Sequence, residues 1–158
     1  MDDLAKLNRR IALHWLGILD ADQEAYVAHA SVCLGQFPHS AAKLAEFLAH
    51  SKLPHHNSLP VAKLNRQYLR FARLAAKDIS SGKHKMILTL GITLAQASAL
   101  GNLTNEAMNR LAYGWDGPII RFARRAFERG IALRVYGAKH HATALLASEF
   151  FPEIEERP

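Results

Sequence analysis

The pentapeptide Ala-Lys-Leu-Asn-Arg occurs twice in this chain, at residues 5–9 and again at residues 62–66. The apolar spacing around it repeats as well: Leu4, Leu7, Ile11, His14 and Ile18 recur 57 positions on as Val61, Leu64, Tyr68, Phe71 and Ala75. Steps of three and four residues place such a set on one stripe of a helix, and a stripe of this kind must be buried against another element. Leu34 and Gly35 are echoed by Leu90 and Gly91 at nearly the same offset. The pattern points to an internal duplication, a single-chain pseudo-dimer of two helical units. The competing reading is coincidence between two basic amphipathic helices, whose favoured residues overlap. The expected organisation is one helical domain over residues 1–158, with related halves at 1–58 and 59–114 and a basic C-terminal region at 115–158.

Local signals divide the chain further. Asp2 and Asp3 open the first helix favourably for its dipole, with Trp15 beside the apolar stripe. Asp20 to Gln23 has capping-box order before a second helix through Tyr26, Val27 and Val32 to Gly35. Ser40 can cap a third, carrying Leu44, Phe47 and Leu48 and ending near Ser51, and Pro54, Leu59 and Pro60 are expected to hold an extended, hairpin-like linker. Ser80, Ser81 and Gly82 separate a fourth helix from residues 85–90, Thr93 to Gln96 is again a capping-box sequence, and Gly101-Asn102 ends that helix. Thr104 can cap the next, with Ala107, Met108 and Leu111 inward. Asp116, Gly117 and Pro118 are expected to open a basic helix that stops at Gly130, followed by a short strand through Ile131, Leu133, Val135 and Tyr136 and a last helix from Lys139. The fold class is therefore mostly α: a helical domain with helix-turn-helix-like units and one short C-terminal strand.

With 158 residues and 49% hydrophobic composition the chain can build its own core. No apolar run reaches the roughly 18 residues of a membrane span, and the N-terminus lacks the basic-then-apolar order of a secretory signal. One cysteine gives no disulfide framework, in keeping with the bacterial cytoplasm. The formal charge of +6 and the concentration of Arg66, Arg70 and Arg73, then Arg121, Arg124, Arg125, Arg129 and Arg134, favour a polyanionic partner through counterion release. A solvated helix face is the bland alternative. Glu153, Glu155 and Glu156 make the tail locally acidic.

Two helices joined by a tight turn containing Gly101 make a helix-turn-helix signature. In it Asn105, Asn109 and Arg110 are expected to face outward, where amide and guanidinium groups match the edges of adenine and guanine. Arg121, Arg124, Arg125 and Arg129 are the expected phosphate clamp, beside the apolar Ile120, Phe122, Ala123 and Phe127. Pairing of these arginines with acidic groups elsewhere, or with a partner subunit, is the other reading. His50, His55, His56, His140 and His141 lack a neighbouring cysteine or an i, i+4 histidine pair on a helix, so no metal or other cofactor is expected. No phosphate loop, nucleophile elbow or zinc-protease motif is present, and no enzymatic reaction is expected. Cys33, between Val32 and Leu34, reads as a small core hydrophobe, and Trp15 and Trp115 as core or interface anchors.

Lys43-Leu44, Leu48, Ser51, Pro54 and Leu59-Pro60, followed by Gly117-Pro118-Ile119-Ile120, Phe127, Gly130-Ile131 and Leu133, resemble FlhC; Leu90-Gly91-Ile92, Leu103-Thr104 and Leu111-Ala112 resemble FlhD. The chain is similar to the FlhC/FlhD family of heteromeric bacterial transcriptional activators, which includes activators carried by conjugative elements. The resemblance covers most of residues 43–133 through short, gapped motifs. It implies an oligomer with a companion FlhC/FlhD-like subunit, acting on promoter DNA and helping to recruit RNA polymerase to flagellar or mobile-element transfer genes. In one respect the chain departs from FlhC, which ends in a cysteine-rich zinc site. Cys33 is the sole cysteine here and lies far upstream, so a four-thiolate zinc site cannot form. A helical interaction module, a partner or antagonist of such an activator without DNA binding of its own, is the alternative.

Overall fold

The computed structural model describes residues 2–50, 56–82 and 84–135. The order of elements is α1 (Asp3–Leu16), α2 (Ala21–His29), β1 (Gly35–Gln36), α3 (Ala41–Ala49), α4 (Leu59–Ser80), α5 (Lys85–Leu90), α6 (Leu94–Gly101), α7 (Asn105–Gly114), β2 (Arg121–Phe122) and α8 (Arg124–Val135). The molecule is mostly helical. Short polar side chains start its helices by accepting from otherwise unpaired first-turn amides. Asp2 accepts from the Ala5 amide, Ser40 from Lys43 and Thr104 from Ala107, while Asp20 with Gln23 and Thr93 with Gln96 close reciprocal capping boxes. Glycines end helices where a left-handed turn is needed: Gly17 after α1 at φ 79° and Gly91 after α5 at φ 62°.

The long helix α4 is the spine. Its buried side, Leu64, Tyr68, Leu69 and Ala72, meets α6 and α7 and crosses α1, whose Leu7, Ile11 and Ala12 are likewise buried. Cys33 is fully buried, and burial pushes its thiol up to about 12, so it packs as a small hydrophobe. Trp115 is core too, at 9% exposure.

The repeated pentapeptide has a structural counterpart. Asn8 on α1 is fully buried; its amide donates to the Val32 carbonyl (2.8 Å) and accepts from the Leu34 amide (2.7 Å). Asn65 on α4 is also fully buried and does the same to a different segment, donating to the Gly117 carbonyl (3.0 Å) and accepting from the Ile119 amide (2.8 Å). Two residues beyond Leu34 and beyond Ile119 stand Gln36 and Arg121, and these face each other in the antiparallel pair of β1 and β2. Each strand is followed by a helix that crosses to the other half: α3 packs on α7, and α8 packs on α2. The arrangement approximates a local two-fold axis through the strand pair. The match runs on through β2 and α8, beyond residue 114.

Several sequence expectations are corrected by this geometry. Leu59 and Pro60 are not linker; they form the first turn of α4, where proline's missing amide costs nothing. Asp116 and Pro118 do not open a helix. Gly117, at φ 77°, turns the chain instead, and residues 115–120 run as loop into β2 because Asn65 claims their backbone groups. The basic helix starts at Arg124 and does not stop at Gly130, which lies inside α8 with its bare α-carbon against the Tyr26 ring. Residues 131–135, expected as a strand, continue α8; Tyr136 and the expected last helix lie outside the described residues. The echo of Leu34-Gly35 in Leu90-Gly91 is not structural either: Gly35 is in β1, whereas Gly91 ends α5.

Candidate nucleic-acid interface

Helices α6 and α7 are joined through residues 102–104, so the two expected helices and their short connection are present. The first of them is fixed from below. The Gln96 amide, already part of the α6 capping box, donates to the carbonyls of Phe37 (3.3 Å) and His39 (2.9 Å) in the loop after β1. The far end of α7 is held by two asparagines. Asn57 and Asn65 both donate to the Ala112 carbonyl, at 3.0 and 3.3 Å, and Asn57 accepts from the Gly117 amide at 3.1 Å. Met108, Leu111 and Ala112 are buried against the core, which leaves Asn105, Glu106 and Asn109 on the exposed side.

Beside that exposed side runs a row of cations. On α4, Lys63, Arg66, Arg70, Arg73 and Lys77 follow one another at steps of three and four residues. A helical turn of 3.6 residues brings them within an arc of about 80°, and a rise of 1.5 Å per residue spreads them over about 21 Å. Lys63, Arg70 and Lys77 are exposed, and Arg66 and Arg73 are half-buried. Among the described residues no carboxylate lies within 4.0 Å of Lys63, Arg66 or Arg70. The row continues toward α1, where Arg10 and His14 share a shallow groove of about 380 Å³ with Lys63, floored by Leu13, Leu59, Pro60 and Leu64.

Arg73 ties this row to the pair of α6 and α7. Its guanidinium donates to the Leu103 carbonyl in the turn (3.4 Å) and to the Asn105 side chain at the start of α7 (2.8 Å). Asn105 is thus held in place by its carbonyl oxygen, with its amide nitrogen left to donate outward. Of the residues expected to read bases, Asn109 is exposed as expected. Arg110 is not available: it turns back under α7 and donates to the carbonyls of Leu48 (3.1 Å) and His50, the last carbonyls of α3. The reason lies in position, since residue 110 falls on the side of α7 that meets α3, and unpaired carbonyls at a helix end attract a cation.

The second expected group sits on a different packing. Arg121 is exposed on β2, and Arg124, Arg125 and Arg129 are exposed on α8, which seats on α2. The Arg124 guanidinium lies 5.9 Å from the centre of the Phe122 ring. Arg124 and Arg125 occupy the first turn of their helix, where the dipole disfavours cations, so helix stability does not account for them. His39, at the edge of the loop that supports α6, is held below its ordinary value of 6.5; burial is the largest cause, opposed by a hydrogen bond with the Ile119 backbone and reinforced by Arg121 and Lys43.

Sequence reasoning missed the roles of Asn8, Asn57 and Asn65; for Asn8 and Asn65 a signal was present in the repeated pentapeptide but carried no indication of burial, and Asn57 lies outside it. Among the described residues no group of three or more histidine, cysteine, aspartate or glutamate side chains is arranged to hold a metal ion, and no helix is long and apolar enough to cross a membrane. His55, His140 and His141 lie outside the described residues. Comparison with family models, curated proteins and solved structures gives no match.

Proposed function

We propose that this chain is a DNA-binding subunit of a bacterial transcriptional activator of the FlhC/FlhD type, acting in the cytoplasm on promoter DNA with a companion subunit and helping to recruit RNA polymerase. In this reading it catalyses no reaction, uses no cofactor, and controls flagellar or mobile-element transfer genes. The observation that carries the proposal is the link made by Arg73 between the cationic row of α4 and the first turn of α7. It joins a phosphate-tracking surface to a helix that presents Asn105 and Asn109, and these are the two kinds of contact that position and specify.

A second reading, a helical interaction module without DNA binding, draws support from Arg110, which is spent on the protein's own backbone, and from Arg124, which lies over Phe122.

Binding of labelled duplexes across a salt series separates the two. Replacing Lys63, Arg66 and Arg70 together by alanine is expected to weaken all duplexes alike and to flatten the salt dependence by up to about 2.7 in log-log slope. Replacing Asn109 by alanine is expected to cost about 1–3 kcal/mol of discrimination between promoter and random DNA. Binding that is indifferent to both changes would favour the interaction module.

A further inference from the structure

The two halves differ by one insertion. Between Asn65 and the Gly117 carbonyl it grips, the chain makes α5, α6 and α7; between Asn8 and the Val32 carbonyl it makes α2 alone. Helix α2 ends three residues before Val32 and α7 ends three residues before Gly117, so α2 is the counterpart of α7. The first half therefore lacks a counterpart of α5 and α6. In the second half α6 lies on α4, on α3 and on the loop at Phe37 and His39. The residues in the matching place across the strand pair are Phe122 and Arg124, next to α1 and the start of α8.

What stands there is an apolar surface that no element of the described residues covers, ringed with positive charge. Trp15 stacks on Phe122 with ring centres 5.9 Å apart, and both are half-buried. Leu16 beside them is half-buried, and Ile18, just past the end of α1, is 83% exposed. Arg121, Arg124 and Arg125 are exposed around this surface, with no carboxylate of the described residues within 4.0 Å.

We infer that this surface is the seat of an acidic amphipathic helix supplied by a companion protein, which fills for the first half the place that α5 and α6 fill for the second. The apolar side of such a helix covers Trp15, Leu16, Ile18 and Phe122, and its carboxylates meet Arg121, Arg124 and Arg125. A second copy of this chain is the poorer occupant, because it carries a net charge of +6 and its own α5 and α6 are packed on α4. The inference rests on the companion-subunit part of the proposed function and is independent of the DNA contact. It assigns the arginines of β2 and α8 to protein recognition and leaves phosphate contact to α4.

The test uses the whole chain and a designed amphipathic peptide helix with leucines on one side and glutamates on the other, read by fluorescence anisotropy. A lysine-for-glutamate version and a scrambled version serve as controls. The acidic helix is expected to bind more tightly than either control. Substituting glutamate for Arg121, Arg124 and Arg125 together is expected to weaken it at least about tenfold, as three partly exposed ion pairs allow. Ile18→Asp, at a site too exposed to disturb folding, is expected to weaken it as well. Equal binding of acidic and scrambled helices, or affinity unchanged by both variants, overturns the inference. So does a concentration-dependent dimer of the free chain that Ile18→Asp abolishes in sedimentation, since the occupant would then be a second copy. Duplex binding is measured on the same samples. Loss of DNA binding in the Lys63, Arg66 and Arg70 variant with peptide binding intact supports the division of labour, whereas loss of DNA binding but not peptide binding in the β2 and α8 arginine variant overturns it.

Discussion

Asn8 and Asn65 perform the same task on opposite halves of the molecule: each is fully buried on its helix and holds one carbonyl and one amide of the segment that leads into a short strand. The two strands so positioned then pair with each other, Gln36 opposite Arg121. A buried amide side chain that satisfies both a donor and an acceptor of the backbone fixes a loop that hydrophobic packing alone would leave free to slide.

Replacing either asparagine by leucine is expected to destabilise the protein by about 1–3 kcal/mol for each backbone group that is left buried and unpaired. The larger effect is expected at Asn8, because at Asn65 the Ala112 and Gly117 carbonyls keep Asn57 as a donor, at 3.0 and 3.5 Å. Chemical denaturation of the single variants measures both, and a loss at one position only would break the structural equivalence.

Arg110 is expected to act on stability and not on base recognition. Arg110→Ala removes the donors to Leu48 and His50 and should cost about 1–3 kcal/mol, as for hydrogen bonds from a charged group. Discrimination between DNA sequences, compared at a temperature where the variant is folded, should be unchanged.

Gly130 lies inside a helix, where alanine ordinarily stabilises by about 1 kcal/mol. Here a β-carbon would press into the Tyr26 ring, so Gly130→Ala is expected to lower the melting temperature instead. The Tyr26 hydroxyl is itself buried with no hydrogen-bond partner among the described residues. Tyr26→Phe is therefore expected to be neutral or stabilising, and to reduce the cost of Gly130→Ala when the two are combined.

Protonation of His39 is expected to weaken the fold. Its pKa in the folded protein lies below the ordinary 6.5, so the unfolded chain takes up more protons as pH falls through that value. The contribution of the neutral ring, packed 4.5 Å from Trp115, is then complete above pH 6.5 and lost as pH falls toward the folded pKa. Melting curves from pH 7.5 down to 5 should show this loss, and His39→Gln should flatten it.

The sequence by itself determined where α2, α3, α6 and α7 begin, because a cap is a local bargain: Asp20 with Gln23, Ser40, Thr93 with Gln96 and Thr104 each meet amides within three residues, and all six side chains do so in the structure. It also determined the mostly helical class and the break between α6 and α7, through apolar spacing and the Gly101-Asn102 stop. Only the tertiary structure decided the rest. Whether residues 115–120 became helix or loop depended on Asn65, which lies more than 50 residues earlier in the chain and outbids a local helix for their backbone groups. Whether Gly130 ended a helix or let one pass close by depended on Tyr26 of α2. Arg110 came to hold the end of α3, and Arg73 came to hold Asn105, because side chains reaching across helices choose among all the carbonyls and amides the fold brings within range, and periodicity along one helix carries no information about those.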